Sequence, residues 1–244
     1  MRPSVPDVHI TDSQDAEFAT YRAFATQSVV GLIFGLLSPL SFLAHAFWFV
    51  PFVGVFFGGW ALRRIKNNPE ALTGRKLAWA GLSLSLLFAV AAPTDWLVYS
   101  HVVRNEARQV SLSWLQYLTH DEPLKSHQLT LSPDGRRPPD ENLSDYYRNN
   151  PRSRKAIEGY IQSPRVRTML ALGPRAVVRF YDTVEQVHDE NEDLVKMIFA
   201  VTYEDEGEKK SFFVYVQAYR KKRPDGRADW QIFPAGAGAR PEDW

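Results

Sequence analysis

The chain has 244 residues, 45% of them hydrophobic, with 29 Lys and Arg against 28 Asp and Glu. Seven of those bases and six of the acids precede Arg104, so the remainder is neutral and lacks the basic stripe that a phosphate backbone requires; no nucleic-acid partner is expected. No cysteine is present, which excludes disulfides, thiolate metal sites and cysteine nucleophiles.

Mean hydropathy is −0.30, an average that hides a strong segregation of apolar residues into positions 29–103. Ahead of them, residues 1–27 carry Asp7, Asp12, Asp15 and Glu17 against Arg2 and Arg22. No long apolar stripe runs through that stretch. It is predicted to be an acidic mobile tail that gains helix near residues 18–24. A secretory signal starts basic and ends its apolar core at small residues. Ala44-His45-Ala46 meets the second condition, but the start is acidic and Phe47-Trp48-Phe49-Val50 carries the apolar run onward. An uncleaved anchor is expected.

Residues 28–103 are predicted to form a transmembrane helical module with the lipid bilayer as partner. About 20 apolar residues cross the hydrocarbon core, so residues 29–62 are too many for one straight span. Pro39 and Pro51 interrupt them by removing backbone donors and disfavouring helix just before. The pattern predicts short helices near 27–43 and 49–66, or one long kinked helix, and then a helix from Thr73-Gly74-Arg75 to about Val98, bent near its end by Pro93. Two or three spans result. Trp60, Trp79, Trp96 and Tyr99 fall near the interfaces, where amphipathic rings prefer to sit. Gly31 and Gly35, then Gly54 and Gly58, recur four apart and, with Gly81, are candidate helix-packing residues. Small residues let helix backbones approach closely in lipid, although glycine is also simply frequent there. His45 and Asp95 fall at the outer ends of these segments and read as solvated interfacial groups.

Between the apolar blocks, Arg63, Arg64, Lys66, Arg75 and Lys76 stand against one acid, Glu70. Positive charge close to span ends stays cytoplasmic. These topology residues place the turn inside, and the C-terminal segment outside under either span count.

The run Gly58-Gly59-Trp60-Ala61-Leu62-Arg63-Arg64-Ile65-Lys66, followed by Leu72-Thr73-Gly74-Arg75-Lys76-Leu77-Ala78-Trp79-Ala80-Gly81-Leu82, resembles the bacterial membrane family known as domain of unknown function 4190. Lys76 stands where that family usually has a second glycine, and Trp60 where histidine is common. The resemblance covers roughly residues 25–92. It implies a membrane module of a bacterial cytoplasmic membrane and supplies no catalytic residue or cofactor.

Residues 104–234 are predicted to be an extracytoplasmic α+β domain, followed by a loose C-terminal tail, 235–244. Val110, Trp114, Leu115 and Leu118 mark a helical stripe, and Ser132-Pro133-Asp134-Gly135-Arg136-Arg137-Pro138-Pro139 reads as a loop. Ala156, Ile157, Tyr160 and Ile161 form one face of a second helix. Ser163-Pro164 starts a short helix bearing Val166, Met169 and Leu170, which Gly173-Pro174 ends. From Arg175 the period changes to two. Strands are predicted at 176–184, 194–203, 212–219 and 230–233, with Val195, Met197, Phe199, Val201 and Tyr203 on one face. Turns at 189–192, 204–207 and 223–226 make an antiparallel meander. Helices first and a meander second is an α+β arrangement, similar in element order to the nuclear-transport-factor-2-like or cystatin-like class.

Chemistry is sparse. His120-Asp121-Glu122 with His127, and His188-Asp189-Glu190 with Glu192, contain metal-ligating types but match no established spacing. Nucleophile elbows, phosphate loops and dinucleotide fingerprints are absent. The basic runs Arg136-Arg137 and Arg220-Lys221-Lys222-Arg223 either meet anionic envelope material or solubilise hairpin ends. Phe212, Phe213, Tyr215, Tyr219 and Trp230 line a pocket or fill a core. The sequence therefore predicts a non-catalytic envelope protein, without cofactor or metal, whose external domain binds another envelope protein or polymer. A ligand-binding or hydrolytic pocket between helices and sheet is the alternative.

Overall fold

A computed structural model describes residues 23–69, 72–138, 141–189, 192–222 and 228–238. The acidic tail up to residue 22, Glu70 and the Arg223–Gly226 turn lie outside them. The chain divides into two compact units, Met1–Val98 and Tyr99–Trp244. The division falls five residues before the boundary expected at 103/104, inside one continuous helix.

In unit 1, β1 (Ala23–Phe24) leads into α1 (Thr26–Leu37), which tightens to a 3₁₀ segment, Ser38–Phe42. A 3₁₀ turn at His45–Phe47 precedes α2 (Phe49–Asn67); β2 (Leu72–Thr73) and α3 (Arg75–Thr119) follow. Ala23 and Phe24 are thus strand, not the end of the helix predicted near 18–24, because they pair in parallel with Leu72 and Thr73. That pairing starts α1 and α3 from the same end of the unit, with α2 returning between them. Gly74, at φ +110°, makes the sharp turn from β2 into α3, and a Cβ there would meet Ser28 Oγ at 2.6 Å. Few residues but glycine adopt that backbone.

The prolines act differently. Pro51 is the third residue of α2, where no intrahelical acceptor is lost because the first four donors have none. Pro39 sits in the first turn of the 3₁₀ segment, and the α-helix ends before it, at Leu37 rather than near 43. Pro93 lies inside α3, and the helix continues through it with one bond missing, that to the carbonyl of Ala89. His45–Asn67 and Arg75–Thr119 are long and apolar enough to cross a membrane, and Thr26–Phe42 is a shorter apolar helix. Its twelve α and five 3₁₀ residues span about 28 Å, close to the ~30 Å hydrocarbon thickness.

Unit 2 is helical plus an antiparallel sheet. After the C-terminal part of α3 come α4 (Pro123–Thr130), α5 (Leu143–Asn149), α6 (Pro151–Gln162) and α7 (Pro164–Leu172). Asn142 and Asn150 cap α5 and α6 by accepting from first-turn amides, satisfying donors that the helix itself cannot. Ser163 precedes α7 but does not cap it; its hydroxyl donates back to the Tyr160 carbonyl. In α6 Ile157 is buried, whereas Ala156 is exposed rather than part of the buried face.

The sheet runs β3 (Val177–His188), β4 (Glu192–Asp205), β5 (Glu208–Lys222), β6 (Ala228–Gly238), each paired antiparallel with its sequence neighbour. The predicted loose tail is overturned in its first residues: Gly236, Ala237 and Gly238 pair with Tyr215, Val214 and Phe213. Backbone pairing suffices there without large side chains. Residues 239–244 lie outside the described set. Trp114, Leu115 and Leu118 of α3, with Val166 and Met169 of α7, pack on Val195, Met197, Phe199 and Val201 of β4 and Val214, Val216 and Ala218 of β5. The helix–sheet interface is filled by this core.

Candidate functional site

Unit 1 is built around a seam of small residues. A Cβ on Gly81 would lie 2.7 Å from the Gly31 carbonyl and the Leu32 amide, and one on Gly35 would lie 2.8 Å from the Gly81 oxygen. One on Gly31 would meet the Gly58 amide at 2.9 Å, and one on Gly58 would meet Leu82 Cβ at 3.1 Å. Gly54 faces Ser85 in the same way. The five candidate glycines therefore lie where α1, α2 and α3 cross, Gly31, Gly35 and Gly81 facing backbone and Gly54 and Gly58 facing Ser85 and Leu82. By contrast Gly59, one residue along, faces open space.

Most of the rest of this interior is also small: Ala25, Ser28, Ser38, Ser41, Ala61, Ala78, Ser85 and Ala92 are buried, with Val50 and Ile65 the larger exceptions. The hydroxyls of Ser28, Ser38 and Ser41 donate to carbonyls three or four residues back in the chain, so they need no water. Large apolar side chains point the other way. Val29, Ile33, Leu36, Phe52, Phe56, Leu86, Leu87 and Val90 are all exposed. His45, Trp48 and Trp96 cluster, with ring centroids 4.8 to 6.1 Å apart.

Arg63, Arg64, Lys66, Arg75 and Lys76 are exposed at the end where β1 pairs with β2. The only carboxylate among the described residues of unit 1 is Asp95, twenty residues further along α3 and about 30 Å away.

Unit 2 holds two polar clusters and a cleft. Asp193 is fully buried on β4 and accepts from Tyr99 at 2.8 Å and from Arg220 at 3.2 Å; His188 Nδ1 lies 2.6 Å away. Arg220 also reaches Glu106 at 3.3 Å, and Trp230 Nε1 donates to the same carboxylate. This is an ion cluster that fastens α3 to the sheet. Arg136 is bound as well: its guanidinium donates to the carbonyls of Leu129, Leu131 and Trp230. Both basic runs thus spend a leading arginine on internal bonds.

The second cluster joins α3, α4, α5 and α6. Tyr160 OH accepts from Trp114 Nε1 at 2.9 Å and lies 2.6 Å from Ser126 Oγ; Tyr147 OH lies 2.6 Å from His127 Nδ1 and accepts from Gln128. Burial pushes the Tyr160 phenol up to about 12, raises Tyr147, and holds the His127 imidazole below its ordinary value, because a charge here would be stripped of water. Serine, histidine and tyrosine meet, but Ser126 is fully buried and bonded to Tyr160 rather than to a base. No activated nucleophile follows.

Beside this cluster a cleft of about 670 Å³ opens between the end of α3, α4 and the start of α5. Tyr117, Leu124, Leu129 and Leu143 give it an apolar floor, and Asp121, Lys125, Arg137 and Glu141 give it charges of both signs. Asp121 holds φ +57° as the left-handed residue of the α3 C-cap, where the Glu122 amide reaches the Tyr117 carbonyl and the Asp121 amide that of Leu118. Glycine is usual at that position.

The metal-type residues do not converge. His120 bonds the Gln116 carbonyl, Glu122 pairs with Lys125, His127 is buried against Tyr147, His188 binds Asp193, and Tyr219 donates to Glu192. Glu190 lies outside the described residues. Among those described, no group of three metal-ligating side chains forms. Sequence reasoning missed Asp193, whose acidic neighbours at a hairpin suggested solvent, and Gln128 and Tyr147, which carry no motif. No family model and no curated protein matches this chain.

Proposed function

We propose that this chain is a multi-span protein of a bacterial cytoplasmic membrane that anchors a non-catalytic extracytoplasmic domain for binding another envelope protein or polymer. The observation that carries it is the inverted packing of unit 1. Its interior is mostly glycine, alanine and serine, with Val50 and Ile65 the larger buried exceptions, while most of its large Phe, Leu, Ile and Val side chains are exposed. In water that arrangement wastes the hydrophobic driving force. In lipid, close backbone contact and satisfied polar groups are what hold helices together.

The five exposed cations gathered at one end set the direction, with that end cytoplasmic. Because α1 and α3 start from it, three passes put residues 99–244 outside. The resemblance to domain of unknown function 4190 is part of this reading, and its support is that Gly58, Gly74 and Gly81 of the resembling stretch all sit at close approaches. For the external domain, the likeness to the nuclear-transport-factor-2-like or cystatin-like class rests on element order. The filled core between helices and sheet favours a binding module over a pocket enzyme. The mixed-charge cleft beside α4 is the concave surface such a partner would use.

Reporter fusions at Asn68 and after Trp244 test the topology: the expected outcome is opposite sides, and one shared side refutes it. A photo-crosslinker at Leu143 should capture a discrete envelope component in cells, and its absence there counts against the cleft as the docking surface.

A further inference from the structure

The cation-rich end of unit 1 holds a cavity of about 600 Å³ between the last turns of α2, strand β2 and the first turn of α3. Leu62, Ile65, Leu72 and Trp79 are among its apolar walls, and Lys66 and Arg75 line it as cations. Among the described residues neither cation has a carboxylate partner, since Asp95 lies at the far end of α3. The amides of Arg75, Lys76 and Leu77 have no acceptor within the helix, whose first bond runs from the Ala78 amide to the Gly74 carbonyl. A hollow that joins positive charge without a carboxylate partner among the described residues to greasy walls fits a ligand that is anionic at one end and apolar at the other.

We infer that this cavity binds the phosphate headgroup of an anionic phospholipid. Lys66 and Arg75 hold the phosphate oxygens, and Leu62, Leu72 and the Trp79 ring lie along the glycerol and the first acyl carbons. A soluble phosphate would use the two cations and leave the four apolar walls wet, which is why the lipid is the better occupant. The inference rests on the membrane reading above.

The experiment uses the full chain purified in neutral detergent, with dioleoyl phosphatidylglycerol, the corresponding phosphatidylcholine and inorganic phosphate as probes. Retained lipid is counted by native mass spectrometry, and the unfolding temperature is followed in parallel. Phosphatidylglycerol should be retained in preference to phosphatidylcholine and should raise the unfolding temperature by several degrees more. K66Q/R75Q should lose at least half of that excess, while R63Q/R64Q, which removes two neighbouring cations outside the cavity lining, should keep most of it. Equal retention of the two lipids by the unmodified chain overturns the proposal without any variant. So does an equal loss in R63Q/R64Q, which would mean diffuse charge, or a full response to inorganic phosphate, which would mean a soluble anion. A chain that purifies as a monodisperse monomer without detergent instead overturns the membrane reading itself, so the two failures are distinguishable.

Discussion

The two units bury opposite kinds of residue. Unit 1 hides mostly glycine, alanine and serine and shows most of its large apolar side chains, whereas unit 2 hides Trp114, Leu115, Met197 and Phe199 and, Asp193 apart, shows most of its charges. Where water surrounds the fold, stability follows the apolar area removed from it, at roughly 25 cal/mol per Å². Where lipid surrounds it, that gain vanishes and the distance of closest approach decides. If unit 1 lies in lipid as proposed, the same chain obeys two packing rules, and the substitutions that damage each unit should differ.

The largest contrast is between Trp114→Ala and Gly58→Leu. Trp114→Ala empties the centre of unit 2 and should cost about 3–5 kcal/mol, read as an earlier loss of the near-ultraviolet circular dichroism of the sheet domain. Gly58→Leu adds volume where Leu82 already sits, and Gly54→Leu does so against Ser85. Each should cost about 1–3 kcal/mol or more and loosen the helical bundle in detergent. Gly59→Leu, into open space, should stay within about 0.5 kcal/mol. If Gly58→Leu matches Gly59→Leu in thermal unfolding, the contrast between the units fails.

Next in size is Asp193→Ala, which takes from Arg220 on β5 its fully buried partner. Breaking a buried pair from one side costs about 3–5 kcal/mol when the remaining charge stays buried. Because Arg220 keeps Glu106, the lower end applies. Chemical unfolding of the full chain, followed through Trp230, measures it.

A smaller effect is pH dependence confined to unit 2. Tyr160 titrates at about 12 when folded and near 10 when unfolded. Between those values the unfolded chain has lost a proton that the folded one keeps, so stability falls as pH rises above 10. His127 has the opposite sense: its folded value is lowered, so as pH falls below about 6.5 the unfolded chain gains the proton first and stability declines. Tyr160→Phe should shrink the alkaline limb, leaving the part that the raised Tyr147 and Tyr99 contribute, and His127→Gln should weaken the acid one. A profile unchanged by either would mean the cluster is open to water.

The smallest is Asp121→Gly. Relief of the left-handed backbone, set against the greater freedom of glycine when unfolded, leaves a gain of about 0.5 kcal/mol. A gain in stability accompanied by loss of crosslinking at Leu143 would show that the carboxylate serves the cleft.

Much of this was legible from the residues. Period-two alternation from Arg175 located the four strands, because one face of each must leave water. The spacing of Gly31, Gly35, Gly54 and Gly58 pointed to close packing, although that these four and Gly81 meet at one crossing requires three dimensions. What escaped was long-range polar pairing. Asp193 sits among acids that advertise solvent, and its burial depends on Arg220 and Tyr99, 27 and 94 residues away. The β1–β2 pair escaped for the same reason, since two residues carry no period. Backbone pairing without side chains likewise hid the end of the last strand, residues 236–238, in an Ala-Gly run that reads as loose.

The meander has one consequence for how the molecule is made. Each strand of unit 2 pairs with its sequence neighbour across a short connection, so little chain entropy is spent on closing loops and the sheet should zip up rapidly once complete. Yet Trp114, Leu115 and Leu118, which rest on that sheet, leave the ribosome some 80 residues before β4 does. Until β4 and β5 arrive, the apolar face of α3 has nothing to cover it, and that interval is when the nascent chain most needs a chaperone.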